Sequence, residues 1–504
     1  MNFFNRLTGL GKAVVVAAVI AVIGCGLYFS GVTKSLSGSG SGDYDAVIAV
    51  NTYSGFSPLV WANGGLEGTE ESPMYKKYGL KLKFVVLDDF TTCRSSMTNG
   101  DVQIGYCTLD ALPVEMGSGS AMSDFRYFML LNFSHGADAL VADKTINSAD
   151  DLKGKKVAFA EGTASETLLL NFLETSGLSM NDIQPIKCEN GTKSAESFKS
   201  LAVNACVTWS PDDQDCLDGV KGSKLLTSSE DASMLISDGF IAKKEWLDKN
   251  PELAAKIVEA FLWANSEYTN KEDVYNEAVQ VFAKAFETDT EFAKLTGRKV
   301  RPATLTDNLQ WFGLNSGYSG MTGERIYSKM SRAYSQLGLV SNALPWTKVA
   351  YPGIIESVSA KNSLDNTQEA FGTATREFTA PTTQLTEAKA ISSKKVTINF
   401  PTAGYSLDNE ARLIIDREFV DIVQGFADTR IRVVGNTDNT GNYDSNVALS
   451  KKRAQSVVDY LVSEYNINKN RFVVVGNGPK RAIEANVNGA NADYRTTDLE
   501  LISE

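Results

Sequence analysis

The sequence predicts an α/β body, a smaller α+β domain at the C-terminal end, and one membrane-spanning helix in front of both. Three observations predict this arrangement. Short apolar strands alternate with helical stretches after residue 44, a helix with a regular apolar face follows an acidic turn near the end, and an uncharged apolar run lies near the start. A chain of 504 residues is long enough for two to four domains.

The N-terminal segment predicts a membrane anchor. Ala13–Val32 carries no charge, and its 20 residues would span roughly 30 Å as a helix, which is one bilayer core. Basic residues in front of it place the N-terminus in the cytoplasm, and the rest of the chain in the periplasm. A cleaved signal peptide and a lipoprotein lipidated at Cys25 are the alternatives. The apolar run Gly26–Val32 after the cysteine favours an uncleaved, single-pass anchor in the inner membrane.

The sequence of the body, after residue 44, predicts a parallel sheet with crossover helices, because predicted strands and helices alternate in it. The predicted strands are Asp45–Val50, Lys81–Leu87, Val102–Cys107 and Lys156–Phe159, and the predicted helices include Ser57–Gly64, Phe90–Asn99 and Ser165–Ser176. Ligands of such sheets bind beyond the carboxyl ends of the strands, where loops meet helix N-termini. The region from 250 to 351 is mainly helical by its periodicity, as in Pro251–Trp263.

Five short motifs in this body occur in a characteristic order: Val50–Pro58, Asn99–Ile104, Phe133–Asp138, Ala160–Glu166 and Cys206–Pro211. Together they resemble the periplasmic substrate-binding proteins of ABC transport, in the branch that binds nitrate, sulfonates and thiamine precursors. The resemblance implies a type 2 binding-protein fold, in which two α/β lobes close on a small ligand around a hinge.

By position in that fold, seven residues would face the cleft: Tyr53, Phe56, Thr108, Ser134, Thr163, Ser165 and Trp209. Hydroxyl groups and helix-terminal amides suit a small polar or anionic ligand, whereas Asp138 or Asp110 would instead meet an amine. For each of the seven residues, strand-end packing or helix capping is the competing explanation.

The composition argues against an enzyme and against a cofactor or metal site. His135 is the only histidine, and no phosphate loop of the Walker type is present. Five cysteines follow the anchor, and Cys206 with Cys216 is the first candidate for a disulfide in an oxidising compartment. The alternative is that all five are buried thiols. A net charge of −12 argues against a nucleic-acid partner.

The C-terminal stretch Thr437–Leu461 combines an acidic turn with a helix. Asn446 is a plausible N-cap, and Ala454, Val457, Val458 and Leu461 recur at helical spacing. Arg453 lies at the edge of this apolar face, and Asp438 lies in the loop before the helix. One cation and one anion complement a ligand that carries both an amine and a carboxylate. An ordinary surface ion pair is the alternative.

This stretch resembles the peptidoglycan-binding signature of the OmpA-like C-terminal domain. The matching positions are Thr437, Asp438, Asn446, Leu449, Ser450 and Arg453, and strands at Val396–Phe400, Ile431–Gly435 and Asn470–Gly476 match the flanks. The resemblance implies that Asp438 contacts the amine, and Arg453 the carboxylate, of diaminopimelate in the stem peptide. The chain departs from the family in having Asn436 instead of histidine and Thr496–Asp498 instead of Asn-Arg-Arg.

These features divide the chain into five parts: 1–33 cytoplasmic tip and anchor, 34–43 Gly/Ser linker, 44–350 binding domain, 351–393 linker, and 394–504 OmpA-like domain. We expect a membrane-anchored, peptidoglycan-tethered binding protein that captures a small solute for an ABC permease or for sensing. The alternative is a structural tether between membrane and wall, with the middle domain as a ligand-free spacer.

Overall fold

The computed structural model describes residues 43–361, 364, 378–398, 400–401 and 403–502. The predicted anchor at 1–33, including Cys25, lies outside these residues, as does most of the linker 34–43. Within the described ranges, no helix combines the length and the apolar character needed to cross a bilayer.

Two sheets form the body. Its strands are β1 (Ala46–Val50), β2 (Leu82–Val86), β3 (Ile104–Thr108), β4 (Phe125–Ser134), β5 (Asp138–Ala142), β6 (Lys156–Ala160), β7 (Gln184–Cys188), β8 (Ala205–Trp209), β9 (Lys224–Ser228), β10 (Ser237–Lys243) and β11 (Val300–Pro302). The first sheet has the order β11-β4-β10-β3-β1-β2 and the second the order β7-β6-β8-β5-β9. Each sheet is the centre of one lobe.

Helices cover both sheets. They are α1 (Ser57–Ala62), α2 (Pro73–Tyr78), α3 (Phe90–Asn99), α4 (Leu112–Glu115), α5 (Ala164–Thr175), α6 (Gly191–Lys199), α7 (Asp212–Gly219), α8 (Lys244–Lys249), α9 (Pro251–Asn270), α10 (Glu272–Ala285), α11 (Thr290–Gly297), α12 (Leu305–Trp311), α13 (Gly323–Gln336), α14 (Trp346–Val349) and α15 (Gly353–Lys361). The predicted helical character of the region from 250 to 351 is confirmed.

Local sequence explains where these helices begin and end. The Asp89 side chain accepts a hydrogen bond from the Thr92 amide (2.8 Å) and starts α3, which ends at Gly100 with φ of 88°. Pro251 occupies the first turn of α9. On the inner face of α9, the Phe261 ring packs 5.6 Å from that of Phe240 on β10, so the apolar periodicity becomes core.

The predicted parallel pairing holds for part of each sheet. β1 pairs in parallel with β2 and β3, and β6 with β7 and β8. It is wrong for β10, which is antiparallel to β3 and β4, and for β5, which is antiparallel to β8 and β9. Both β10 and β5 follow a passage of the chain from one sheet to the other, and β11 is likewise antiparallel to β4.

The two passages form the hinge region. The chain leaves the first lobe between β4 and β5, through residues 134–138, and returns between β9 and β10, through residues 228–237. The passages run side by side, because Phe133 pairs with Ser237 on one side and Ala139 with Ser228 on the other. Polar residues at these four strand ends therefore meet in one place between the lobes.

The C-terminal domain contains β12 (Ala390–Val396), β13 (Arg430–Asn436), β14 (Phe472–Gly478) and β15 (Thr497–Ile502), in the order β12-β15-β13-β14, and the helices α16 (Asn409–Ile415), α17 (Asp421–Gly425), α18 (Tyr443–Tyr465) and α19 (Lys480–Glu484). The first strand was expected at Val396–Phe400, but it ends at Val396. Gly435 and Gly476 let α18 approach the sheet, since a Cβ at Gly435 would lie 2.1 Å from the Ser450 carbonyl oxygen.

The segment predicted as a linker, 351–393, is partly structured. It contains α15, on which Ile354, Ile355 and Val358 are buried, and the first half of β12. Residues 362–363 and 365–377 lie outside the described ranges.

The C-terminal domain packs against the body, although the sequence predicts a linker, 351–393, between the two. The Met234 amide donates to the Gly425 carbonyl (3.2 Å), the Thr429 hydroxyl to the Asp231 carbonyl (3.1 Å), and the Ser319 hydroxyl to the Tyr465 carbonyl (2.8 Å). Buried apolar side chains continue across this contact. The contact therefore holds the domain in a defined position.

We expect Gly425→Glu to undock the C-terminal domain. A Cβ at residue 425 would make only an ordinary contact with Met321 Cε (3.6 Å), so Gly425→Ala is a tolerated control. A carboxylate there would be buried without a partner, which costs several kcal/mol. Small-angle X-ray scattering should show an increase of the radius of gyration on the order of 5 Å for Glu. Equal values for the Glu and Ala variants would contradict the docking.

Candidate functional site

At the first lobe passage, four polar groups hold one carboxylate in place. The Ser134 hydroxyl donates to Asp138 Oδ2 (2.7 Å) and lies 2.7 Å from the Ser229 hydroxyl. Ser229 Oγ in turn accepts from the amides of Gly136 (2.9 Å) and Asp138 (3.2 Å). Gly136, with φ of 95°, makes the turn that brings these groups together. Asp138 is therefore fixed between the lobes, at the start of β5.

Two further carboxylates lie close to Asp138. Asp238 is on the central strand β10, opposite Thr108 of β3, and Asp110 follows β3 by two residues. The Leu109 amide donates to the Ser237 carbonyl (2.9 Å), which ties the Asp110 loop to β10. Asp110 is fully buried, Asp138 is 6% exposed, and Asp238 is partly exposed.

Burial and mutual repulsion favour the protonated forms of these three acids. Burial raises the pKa of Asp110 to about 7 and that of Asp138 to about 6. Burial and the charges of Asp138 and Asp110 raise the pKa of Asp238 well above its usual value. Neither carboxylate oxygen of Asp110 has a hydrogen-bond partner of ordinary geometry, and weak interactions with the Thr167 hydroxyl and the Ser237 amide offset only part of its burial.

Aromatic and hydroxyl side chains border the acids. The Tyr53 hydroxyl hydrogen-bonds to Asp238 and lies 3.5 Å from Asn132 Oδ1. Trp209, at the end of β8, lies directly opposite Asp138 in the β5–β8 pair and is partly exposed. Thr108 is partly exposed at the end of β3. The structure thus brings Tyr53, Thr108 and Trp209 to the same region as Asp138 and Asp238.

The first turn of α5 supplies the opposite wall. Thr163 is its N-cap and accepts from the Ser165 amide (3.2 Å), and its carbonyl accepts from the Tyr334 hydroxyl of α13 (3.3 Å). Tyr334 also lies 2.7 Å from the Thr167 hydroxyl. Ser165 is fully buried, and its hydroxyl has no hydrogen-bond partner. α13 and α5 belong to different lobes, so these bonds join the lobes.

A second bond between the lobes lies beside Asp138. Lys299, just before β11, donates to Asp213 Oδ2 (2.6 Å) and to Ser210 Oγ (2.7 Å) of the second lobe. Together with the Tyr334 contacts, this ion pair holds the lobes in the present arrangement.

Two of the predicted ligand residues have structural roles. Phe56 is 1% exposed, and its ring packs 6.0 Å from Tyr106 and 6.2 Å from Phe240, so its predicted place in the cleft is wrong. The short 3₁₀ turn Ser54–Phe56 points this ring into the first sheet. Ser134, which was predicted to face the cleft, lies at the passage between the lobes, and its hydroxyl donates to Asp138.

The predicted disulfide is not formed. Cys206 and Cys216 are buried thiols whose sulfur atoms lie 3.8 Å apart, well beyond the roughly 2.05 Å of a disulfide bond. All five cysteines of the described residues are thiols. No group of three or more acidic, cysteine or histidine side chains in that part of the chain is arranged as a metal site.

In the C-terminal domain, Asp438 is held rigidly by main-chain and hydroxyl donors. It is 5% exposed, accepts from the Thr440 amide (3.2 Å) and hydroxyl, and accepts from the Asn491 amide (3.3 Å). The Arg495 guanidinium lies 3.7 Å from Asp438 Oδ2. Its ion pair is therefore with Arg495.

Arg453 is held by different partners. Its Nε donates to the Gly404 carbonyl (3.0 Å) and its Nη2 to the Pro401 carbonyl (3.4 Å), while its guanidinium lies 4.9 Å from the centre of the Phe400 ring. Burial, and next the charge of Arg495, lower the pKa of Arg453. Two cations, Arg453 and Arg495, therefore lie near one anion, Asp438. Arg453 donates no hydrogen bond to Asp438.

The other predicted residues of this site mainly support it. The hydroxyl of Ser450 donates to the Val447 carbonyl (2.9 Å) and accepts from the Gly478 amide (2.9 Å), which joins α18 to β14. Asn446 is not the N-cap: Asn442 is, and the Asn446 amide group donates to the Thr440 carbonyl (2.7 Å). Thr437 is buried with an unpartnered hydroxyl, and Leu449 is half-buried.

Where the chain departs from the OmpA-like pattern, a buried polar network takes over. Asn436 donates to Thr496 Oγ1 (3.2 Å) and Asp498 Oδ2 (3.0 Å), and Arg481 lies 3.4 Å from Asp498 Oδ2. Asp238, Phe400 and Arg481 contact residues singled out in the sequence, but were not themselves predicted from it. The single carboxylate on the largely buried strand β10 was a signal for Asp238. No local sequence pattern distinguishes Phe400 or Arg481.

Comparison with known family models assigns the body and the C-terminal domain to two different families. The NMT1/THI5 like family model matches residues 70–272, and the OmpA family model matches residues 399–495. The chain therefore carries one domain of each kind.

Individual relatives cover the body. A protein of Brucella abortus named as a binding protein is 24% identical over 269 residues, which is 53% of this chain and 82% of the relative. The taurine-binding periplasmic protein of Escherichia coli is 24% identical over 225 residues, 44% of this chain and 66% of that protein. The crystal structure of the periplasmic aliphatic sulphonate binding protein SsuA from Escherichia coli gives a TM-score of 0.49 at 18% identity, covering 62% of this chain and 98% of SsuA.

We expect Asp110→Asn to stabilise the ligand-free protein at pH 8. The folded-state pKa of Asp110, about 7, lies above the unfolded value near 4, so ionisation destabilises the fold as pH rises from 4 to 7. Removing this group should add on the order of 2–4 kcal/mol at pH 8, and the gain should vanish towards pH 4. Thermal unfolding across this pH range measures it, with the exposed Asp101→Asn as control. A gain that is absent at pH 8, or that grows on acidification, would contradict the assignment.

Proposed function

We propose that this protein is a non-enzymatic solute-binding protein of the bacterial envelope that is tethered to peptidoglycan. The observation that carries the proposal is the presence, in one chain, of an NMT1/THI5-like domain and an OmpA-family domain. The binding-protein names of the Brucella and Escherichia coli relatives support solute capture by the body. Solute would enter between the lobes, and closure would be stabilised by contacts made only in the closed state.

The tethering half of the proposal is supported by the geometry at α18. Asp438 is pre-oriented by amides and a hydroxyl, and Arg453 by two carbonyls and the Phe400 ring. Asp438 and Arg453 share no hydrogen bond, and the Arg495 guanidinium near Asp438 lies at 3.7 Å and is half-exposed, so a ligand could reach both charges. Asp438 would receive the ammonium group of diaminopimelate, and Arg453, with Arg495 beside it, the carboxylate.

The location in the cell is part of the proposal. We propose that Ala13–Val32 anchors the chain in the inner membrane, with Cys25 lipidation as the alternative, and that the body and the C-terminal domain lie in the periplasm. There the body would pass its solute to an ABC permease or report its presence as a sensor.

We expect purified sacculi to bind the full chain through Asp438 and Arg453. Asp438→Ala and Arg453→Ala should each weaken binding by roughly 10- to 100-fold, since each removes charge-assisted hydrogen bonds. Lys452→Ala is the matched control, because this exposed lysine neighbours Arg453 on α18 and lies over the Tyr405 ring instead. Co-sedimentation measures the bound fraction. Unchanged binding of the Asp438→Ala, Arg453→Ala double variant would remove the site.

Solute capture predicts a ligand-dependent rise in thermal stability of the full chain. A solute at 100 times its Kd should add about 2.7 kcal/mol to the stability of the folded state. Differential scanning fluorimetry against a broad panel of small metabolites measures the shift, and Trp209→Ala should reduce it. If no compound shifts the unfolding temperature while sacculi still bind, the body is a ligand-free spacer in a membrane-to-wall tether.

A further inference from the structure

Resting on the proposed solute-capture function, we infer that the cleft selects an organic cation, with a protonated amine or guanidine group, over a sulfonate or nitrate anion. The three carboxylates that meet between the lobes carry this inference. They come from three different elements: Asp110 from the loop after β3, Asp138 from the start of β5, and Asp238 from β10. Their convergence is produced by strand pairing, because both lobe passages end here.

The charges around this site disfavour an anion. The strongest charge acting on Asp110 is that of Asp138, and those acting on Asp238 are Asp138 and Asp110. Lys299 is the lysine beside Asp138, and it is taken up by its ion pair with Asp213 and its hydrogen bond to Ser210, so it is not left to bind an anion. An incoming sulfonate would add like charge to a buried, like-charged group, whereas a cation would relieve the repulsion.

The hydrogen-bonding capacity left unused also calls for a donor. Both oxygens of Asp110 are fully buried without a hydrogen-bond partner of ordinary geometry and can only accept when ionised, and the unpartnered hydroxyls of Ser165 on α5 and Ser237 on β10 can also accept. An unpartnered buried acceptor costs about 1–3 kcal/mol. A sulfonate or nitrate ion has no N–H or O–H group to give to an ionised carboxylate. An ammonium or guanidinium group supplies three or more donors at once.

Aromatic side chains complete the site. Trp209 lies opposite Asp138 in the β5–β8 pair, and Tyr53 hydrogen-bonds to Asp238. A carboxylate beside an aromatic ring binds an organic cation through its charge and through the ring face together. A bare metal ion would draw little from the ring, so this pairing favours a cation that carries a carbon skeleton.

Isothermal titration calorimetry of the full chain at pH 7.5 tests the inference. The cationic probes are putrescine, agmatine and ethylamine; 1,4-butanediol is the neutral match for putrescine, ethanesulfonate and nitrate are the anionic probes, and Mg²⁺ and Ca²⁺ are the metal probes. We expect at least one cation to bind 100-fold more tightly than 1,4-butanediol, and neither anion to bind. Asp110→Asn and Asp238→Asn should each weaken cation binding at least tenfold, while Asp101→Asn leaves it unchanged.

The outcomes separate the two levels of the argument. Binding of ethanesulfonate or nitrate without binding of a cation overturns the inference and leaves the proposed solute-binding function standing. Binding of Mg²⁺ or Ca²⁺ in place of the organic cations also overturns it. If none of the probes gives binding heat, the inference is wrong. If, in addition, no metabolite shifts the unfolding temperature in the thermal experiment, the proposed solute capture is wrong as well. Because Asp110→Asn is expected to be more stable than the wild type, loss of binding in that variant cannot arise from unfolding.

Discussion

The body depends on one constraint, which is that a buried carboxylate stands where the chain passes twice between its lobes. Asp138 is tolerated there because Ser134 donates a hydrogen bond to it and Ser229 organises the surrounding turn. Asp110 has no hydrogen-bond partner of ordinary geometry; burial and the charge of Asp138 raise its pKa, and burial with the charges of Asp138 and Asp110 raises that of Asp238. Buried charge without full compensation lowers the stability of the folded protein, and carboxylates with such raised pKa values are typical of functional sites.

The C-terminal site solves the opposite problem. A cation and an anion placed side by side would neutralise each other and leave little affinity for a zwitterionic ligand. Here the main chain prevents this: carbonyls of Pro401 and Gly404 hold Arg453, and amides of Thr440 and Asn491 hold Asp438. Arg495 balances Asp438 only loosely, at 3.7 Å and from an exposed position. Both charged groups are therefore fixed by the main chain and share no hydrogen bond with each other.

Much of this architecture could be predicted from local pattern, and the limits of prediction have a physical cause. The helix Phe90–Asn99 was predicted to the residue because Asp89 and Gly100 mark its ends in the sequence. Asp238 was missed because Phe240 and Ile241 make its strand look like core, and only strand register brings it to Asp110. Arg453 and the hydroxyls of Ser319 and Thr429 at the contact between domain and body donate to main-chain carbonyls. Every residue carries such a carbonyl, so no side-chain pattern in the sequence predicts these contacts.

Docking of the C-terminal domain adds a mechanical consequence. The domain contacts the second lobe at Glu174, through Lys394 (3.9 Å), and at the 228–237 passage, through Asp231 and Met234. It also contacts the first lobe, where Arg325 lies 3.3 Å from Asp421. Because one rigid domain holds both lobes and the passage between them, the lobes cannot separate without breaking or sliding part of this contact. Separation of the lobes and the position of the C-terminal domain are therefore coupled by the same contacts.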